Sequence, residues 1–285
     1  MRTLRHTLCA ALFGVTVMQA SGSAQAEMTS GLYYETCGSG TETIIFLHDT
    51  LLHSAAYDEV WELVCKTGDF AAVRYDRRGY GNSPAATEPY SHTDDLAALI
   101  SDLDITEAIL VASASGTHIA ADYGLRRPRL LEGLLLAAPA IGPYAYSTRY
   151  IMRNMDLLSP LQDNNVEEAL ARVSADPYFV SSANTEAHAR MVEILKANPQ
   201  NFGPRPVPSS PSFVYDRLRT LLIPALILVG ENDDPDVIDH ARVVKRTAPY
   251  TQLDIVPNAA HHLYLEQPKV FTDYVLDFAD LRMRQ

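Results

Sequence analysis

Residues 109–118 read Ile-Leu-Val-Ala-Ser-Ala-Ser-Gly-Thr-His, and no other stretch constrains the chain as tightly. An apolar run of strand character stops at Val111 or Ala112, and a helical pattern over 115–127 starts almost at once. A strand that turns sharply into a helix lifts one side chain above the C-terminal edge of a sheet. In the frame G-x-S-x-G the closing glycine is Gly116, which puts the lifted position at 114. That position holds alanine.

The rest of the chain supplies strands and helices in alternation. Residues 31–37, 43–47, 70–75, 131–137, 225–230 and 252–256 read as strands, most of them short apolar runs rich in β-branched residues. Between them, 54–66 carries Tyr57, Val60, Trp61 and Val64 at helical spacing, and Ser91 with Asp94 forms an N-terminal capping pair for a helix to about 103. Helices are also expected over 237–247 and 268–281. This order predicts an α/β fold: a mostly parallel central sheet of about eight strands with helices on both faces. The alternation stops over 141–213, which is helical in pattern, rich in Tyr and Met, and closed by a Pro-rich connector at 204–211. We read 141–213 as a helical cap inserted into a core of residues 27–140 and 214–285.

The first 26 residues combine Arg2 and Arg5, an apolar run from Leu8 to Met18 and Ala24-Gln-Ala26, the pattern of a cleaved export signal. The apolar run is too short to span a bilayer, which takes about 20 residues. Export implies a periplasmic or secreted protein. Cleavage removes two arginines and no acid, so the net charge moves from −12 to −14. That balance argues against nucleic acid or an anionic membrane as partner. Cys37 and Cys65 then remain, and either a disulfide or two buried thiols fits that count. No P-loop, G-x-G-x-x-G or metal-ligand spacing is present, so neither a cofactor nor a metal is expected.

Acyl transfer needs a nucleophile, a base touching it, an acid that orients the base, and donors for the oxyanion. His261 follows the last strand and is the candidate base, with His262 as its neighbour. The turn after 225–230 offers Glu231, Asp233, Asp234 and Asp236; spacing from Gly230 favours Asp233, with Asp234 second. The oxyanion donors would be the backbone N–H groups of Ser115 and Thr50.

With these pieces in order, the chain resembles the capped α/β-hydrolases. The resemblance rests on His48-Asp-Thr, on 75–83 (Tyr-Asp-Arg-Arg-Gly-Tyr-Gly-Asn-Ser), on 112–116, on Val229-Gly-Glu-Asn-Asp233, and on Ala260-His261 with Glu266-Gln-Pro268. It covers almost the whole chain after residue 26. It implies a Ser, Asp, His triad and a small ester or lactone, apolar or aromatic, held under the cap. Contacts to that substrate are expected from His48, Asp49, Tyr144, Tyr146, Met152 and His262. A monomer or small homo-oligomer is expected.

Three departures stand out. Asp49 replaces the usual glycine after His48, Ala112 replaces the first elbow glycine, and Ala114 occupies the nucleophile seat. Three accounts of Ala114 compete: an active serine hydrolase whose nucleophile has been replaced, a non-catalytic binding protein, or chemistry displaced to Ser113 or Ser115. An intact acid, base and elbow favour the first. Hydrolysis of a C–C bond remains an alternative within the serine pattern.

Overall fold

The computed structural model describes residues 25–203 and 212–283. The export-signal residues 1–24 and the Pro-rich connector therefore lie outside the described residues. The strands are β1 (Gln25–Thr29), β2 (Leu32–Cys37), β3 (Glu42–Leu47), β4 (Ala71–Tyr75), β5 (Glu107–Ser113), β6 (Leu131–Ala137), β7 (Ala225–Gly230) and β8 (Thr251–Val256). They form one eight-stranded sheet in the order β1-β2-β4-β3-β5-β6-β7-β8. From β4 to β8 in that order every pairing is parallel, while β1 and β2 form an antiparallel hairpin at one edge.

β1 is a strand that the sequence pattern did not resolve. It pairs Gln25 with Thr36 and Ala26 with Glu35, so cleavage after Ala26 would fall inside it. Two turn-forming residues at its end (Ser30, Gly31) and the preceding small residues hide it from a periodicity argument.

The core helices are α1 (Asp58–Thr67), α2 (His92–Asp102) and α3 (Ser115–Arg126). In the segment between β6 and β7 lie α4 (Thr148–Leu158), α5 (Val166–Ala175) and α6 (Thr185–Ala197). α7 (Pro235–Thr247), a single turn α8 (Leu263–Glu266) and α9 (Pro268–Met283) complete the chain. Both faces of the sheet are covered because the strands are apolar on both. Ile44 and Phe46 of β3 pack with Trp61 of α1 and Phe271 of α9. Ile45 and Leu47, pointing the other way, pack with Leu96 of α2, Ile119 of α3 and Val244 of α7. That alternation along a strand is what places two helical layers on one sheet.

Cys37, at the end of β2, is bonded to Cys65 in α1, with Cα atoms 5.7 Å apart. The bond closes a sequence separation of 28 residues. Loop-closure entropy predicts about 3–4 kcal/mol of stabilisation for such a loop. Replacing both cysteines by serine is expected to lower Tm by roughly 7–14 °C, measured by calorimetry. A shift under 2 °C would contradict this account.

Candidate active site

Ala114 sits between β5 and α3 with φ +41° and ψ −115°. A residue with a Cβ is strained in such a conformation, typically by about 1–3 kcal/mol, and it persists only where the surroundings enforce it. Here the Ala114 N–H donates to the Ala137 carbonyl at 2.9 Å, while its own carbonyl accepts from the Thr117 N–H at 3.0 Å and the Thr117 hydroxyl at 2.5 Å. Two residues on, a Cβ at Gly116 would stand 2.8 Å from the Leu47 carbonyl oxygen and 2.9 Å from that of His48. Glycine therefore lets the first turn of α3 press against the end of β3. That contact brings the Ser115 N–H beside the loop that follows β3. As the first residue of a helix, Ser115 has an amide with no partner inside the helix.

The loop after β3 is stiffened by its own side chains. The Asp49 carboxylate is 3% exposed and accepts the Leu51 and Leu52 N–H groups, each at 2.7 Å. The Thr50 hydroxyl donates to Ser115 Oγ at 2.5 Å, and Arg77 reaches both the Asp49 carbonyl and Ser115 Oγ. Asp76, in the turn after β4, accepts the Ser54 and Asn82 N–H groups. Burial opposes its charge, but His53 and these donors prevail and hold its carboxyl down at about 2.

A second close approach builds the acid and base pair. A Cβ at Gly230 would stand 2.3 Å from the carbonyl oxygens of both Ala259 and Ala260. The turn after β7 and the loop after β8 thus touch backbone to backbone. His261 Nδ1 lies 3.0 and 3.1 Å from the two oxygens of Asp233, which is 3% exposed. Burial disfavours the imidazolium, yet the facing Asp233 carboxylate outweighs it and raises the His261 pKa above the ordinary 6.5. Asp234 turns away. It caps α7 through the Asp236 N–H and takes Arg149 and Arg153 of the inserted helices. The Asp233 and Asp234 alternatives are thereby separated in space.

These groups border a cavity of about 270 Å³ that Asp49, Thr50, Ala114, Ser115 and His261 line from the core side. The inserted segment supplies its roof, with Tyr150, Asn154 and Leu157 of α4, Val173 of α5, and Phe179. Ser113 is buried below the floor at 1% exposure.

Five expected substrate contacts lie elsewhere. His48 is 1% exposed and accepts the Arg77 N–H through Nε2, with Nδ1 toward the Asp49 carbonyl; it pins two loops together. His262, equally buried, bonds the Tyr264 hydroxyl, and burial lowers its pKa to about 4, so it stays neutral. Tyr144 stacks flat on His240, at 4.0 Å between ring centres, and the Tyr146 hydroxyl bonds the same ring. Met152 is 58% exposed on the outside of α4. Two residues along a helix turn the side chain by about 200°, so Tyr150 faces the cavity and Met152 solvent. Of that set, Asp49 alone lines the cavity. In the sequence Tyr150 stands out only as one of several Tyr and Met residues of the insertion, and Leu157 has no mark of its own. Among the described residues no group of three or more His, Cys, Asp or Glu is arranged to hold a metal ion.

Residues 44–274 match a family model described as "Alpha/beta hydrolase family". The chain is 26% identical over 259 residues to the AB hydrolase superfamily protein YisY of Bacillus subtilis (strain 168), covering 87% of this chain and 95% of that protein. It is 24% identical over 291 residues to a 2-hydroxy-6-oxononadienedioate/2-hydroxy-6-oxononatrienedioate hydrolase of Pseudomonas putida, covering 93% and 98%. A solved structure of Est816, titled as an N-acyl homoserine lactone degrading enzyme, superposes with a TM-score of 0.71 at 21% identity, over 89% of this chain and 100% of that one. An esterase from Exiguobacterium antarcticum superposes with a TM-score of 0.74 at 18% identity, over 87% and 95%. At such identities the structural likeness speaks to the fold.

Because the folded-state pKa of His261 is raised, the stability from its pairing with Asp233 is complete below 6.5 and is lost as pH rises through the folded value. An NMR titration of His261 is expected to give a midpoint above 6.5. In Asp233→Asn the midpoint should fall below 6.5, since burial is then opposed only by the weaker pull of Asp49. An unchanged midpoint would contradict the pairing.

Proposed function

The chain belongs to the alpha/beta hydrolase family, and on that premise we propose that its cavity is the active site of a hydrolase for small uncharged esters or lactones, with position 114 as the nucleophile seat. The observation that carries this reading is the His261–Asp233 pair, held at 3.0 Å, with His261 bordering the same cavity as the strained turn at Ala114. A serine at 114 would attack the substrate carbonyl as His261 takes its proton, with Asp233 holding the imidazole. The Ser115 and Thr50 N–H groups would receive the oxyanion. The leaving alkoxide would then take the proton from His261, and water, activated by the same imidazole, would release the acid. With alanine in the seat the first step has no nucleophile. The sequence as it stands is therefore read as a binding-competent form of such an enzyme.

The cavity's chemistry supports an uncharged substrate. Its lining is mostly apolar, and among the described residues no Lys or Arg lines it. The Pseudomonas putida relative is named for a dioate, a substrate with two carboxylates. Asp49 at the cavity wall would repel such an anion, and no Lys or Arg lines the cavity to offset it. This favours ester or lactone cleavage over cleavage of a C–C bond in a dioate. Displaced chemistry at Ser115 is disfavoured because its hydroxyl is already engaged by Thr50 and Arg77. An export route for this protein is supported by the pattern of residues 1–26 and by the Cys37–Cys65 bond, since disulfides persist in oxidising compartments.

The test is Ala114→Ser, assayed on short p-nitrophenyl esters and a series of lactones. Turnover is expected to rise by roughly 10³–10⁶-fold over the unaltered chain, the usual cost of a missing nucleophile. Adding His261→Ala should remove the gain. A restored serine that stays silent on the whole panel, in a protein that still folds and binds small apolar ligands, would overturn the reading.

A further inference from the structure

The loop that carries His261 is held as much by the inserted segment as by the core. Its His261 and His262 N–H groups donate to the Tyr178 and Phe179 carbonyls, each at 2.9 Å. Phe179 lies flat against the His262 ring, at 5.6 Å and 13°, and meets the His261 ring edge to face at 5.8 Å. One carboxylate joins the two strands of this junction. Glu266, 9% exposed at the end of α8, accepts the Ser181 N–H on Oε1 at 2.7 Å and the Ala260 N–H on Oε2 at 2.5 Å. Ala260 directly precedes His261, and Ser181 lies two residues after Phe179, whose ring meets that of His261.

We propose that Glu266 is a positioning residue that clamps the cap to the base loop and so sets the place of the His261 imidazole against Asp233. Both of its targets are N–H donors, so the position needs two acceptors, one on each side. A carboxylate has them. An amide offers one acceptor and turns an N–H toward the other donor. An aspartate keeps the charge but is a methylene too short to span both sides. Charge-assisted bonds of this kind are stronger than neutral ones, and a buried donor left without its partner is costly. The inserted segment is then part of the frame of the base as well as a roof over the cavity. This inference rests on the role given above to His261, but not on which substrate the site takes.

The experiment uses the chain with Ala114 in place and follows His261 by NMR. In unaltered protein, the amides of Ser181, Ala260, His261 and His262 should exchange with solvent at one shared opening rate. Ser181 exchanging far faster than the other three would overturn the clamp without any substitution. In Glu266→Asp, exchange of all four is expected to quicken by about tenfold or more, and the His261 midpoint should move down toward 6.5 as its contact with Asp233 loosens. The aspartate variant retains the charge, so this fall reports position. A midpoint that moves in Glu266→Gln but not in Glu266→Asp would make the residue a source of charge alone and sink the proposal. Asn184→Ala cuts two other bonds, from the Asn184 amide to the Glu266 carbonyl and from the Ala187 N–H to Asn184 Oδ1, and should leave the His261 signals in place. A silent Ala114→Ser enzyme would count against the proposed function while leaving these signals untouched, so the two failures are distinguishable.

Discussion

The site depends on two places where backbone meets backbone more closely than a Cβ would allow. At Gly116 the first turn of α3 sits against the end of β3, and at Gly230 the turn after β7 sits against the loop after β8. The first contact joins the elbow to the Thr50 loop. The second joins the Asp233 turn to the His261 loop. Each brings together segments far apart in sequence, and in each a Cβ would stand 2.9 Å or less from backbone carbonyl oxygens, so the partners would have to move apart against a close-packed sheet. The parallel strands explain why both contacts lie at one edge: every strand from β3 to β8 ends on the same side, so every following turn opens there.

Electrostatics then separates charges that the sequence presents as a cluster. Asp233 and Asp234 are neighbours in the chain, yet one faces an imidazole and the other a pair of guanidinium groups from α4. Asp49 is a buried carboxylate whose Oδ1 accepts two N–H groups of its own loop, while Oδ2 faces the Tyr264 hydroxyl and the His262 ring. Its charge also pulls on His261, beside the stronger pull of Asp233. The imidazole thus sits in a negative surrounding that favours its protonated form, while its neighbour His262, more deeply enclosed, stays neutral.

The inserted helices are tied to the core at several points around the cavity. Asn201 donates to the Leu51 and Leu52 carbonyls beside the Thr50 loop. Arg149 and Arg153 hold the Asp234 turn, and Arg190 of α6 pairs with Asp58 of α1. Together with the Glu266 junction, these ties join the insertion to the loop after β3, the Asp234 turn and the His261 loop. A roof held this way shapes the cavity by the rotation of its helices, which is why Tyr150 and Asn154 face inward and Ile151 and Met155 face solvent.

The sequence alone determined the alternation of strands and helices, the elbow at 114, and the turn and loop from which an acid and a base could come. These are local properties: hydrophobic period, turn residues and spacing from a strand end act over a few residues. It did not resolve β1, whose evidence lies in pairing with β2 rather than in its own pattern. It also assigned His48, Tyr144, Tyr146, Met152 and His262 to the cavity, because residue type and neighbourhood were all it offered. The tertiary structure decided which faces turn inward, which aspartate meets His261, and that Cys37 and Cys65 are bonded. Each of these depends on how far apart two distant segments come to rest. That distance is set by packing across the whole sheet, which no short window of sequence contains.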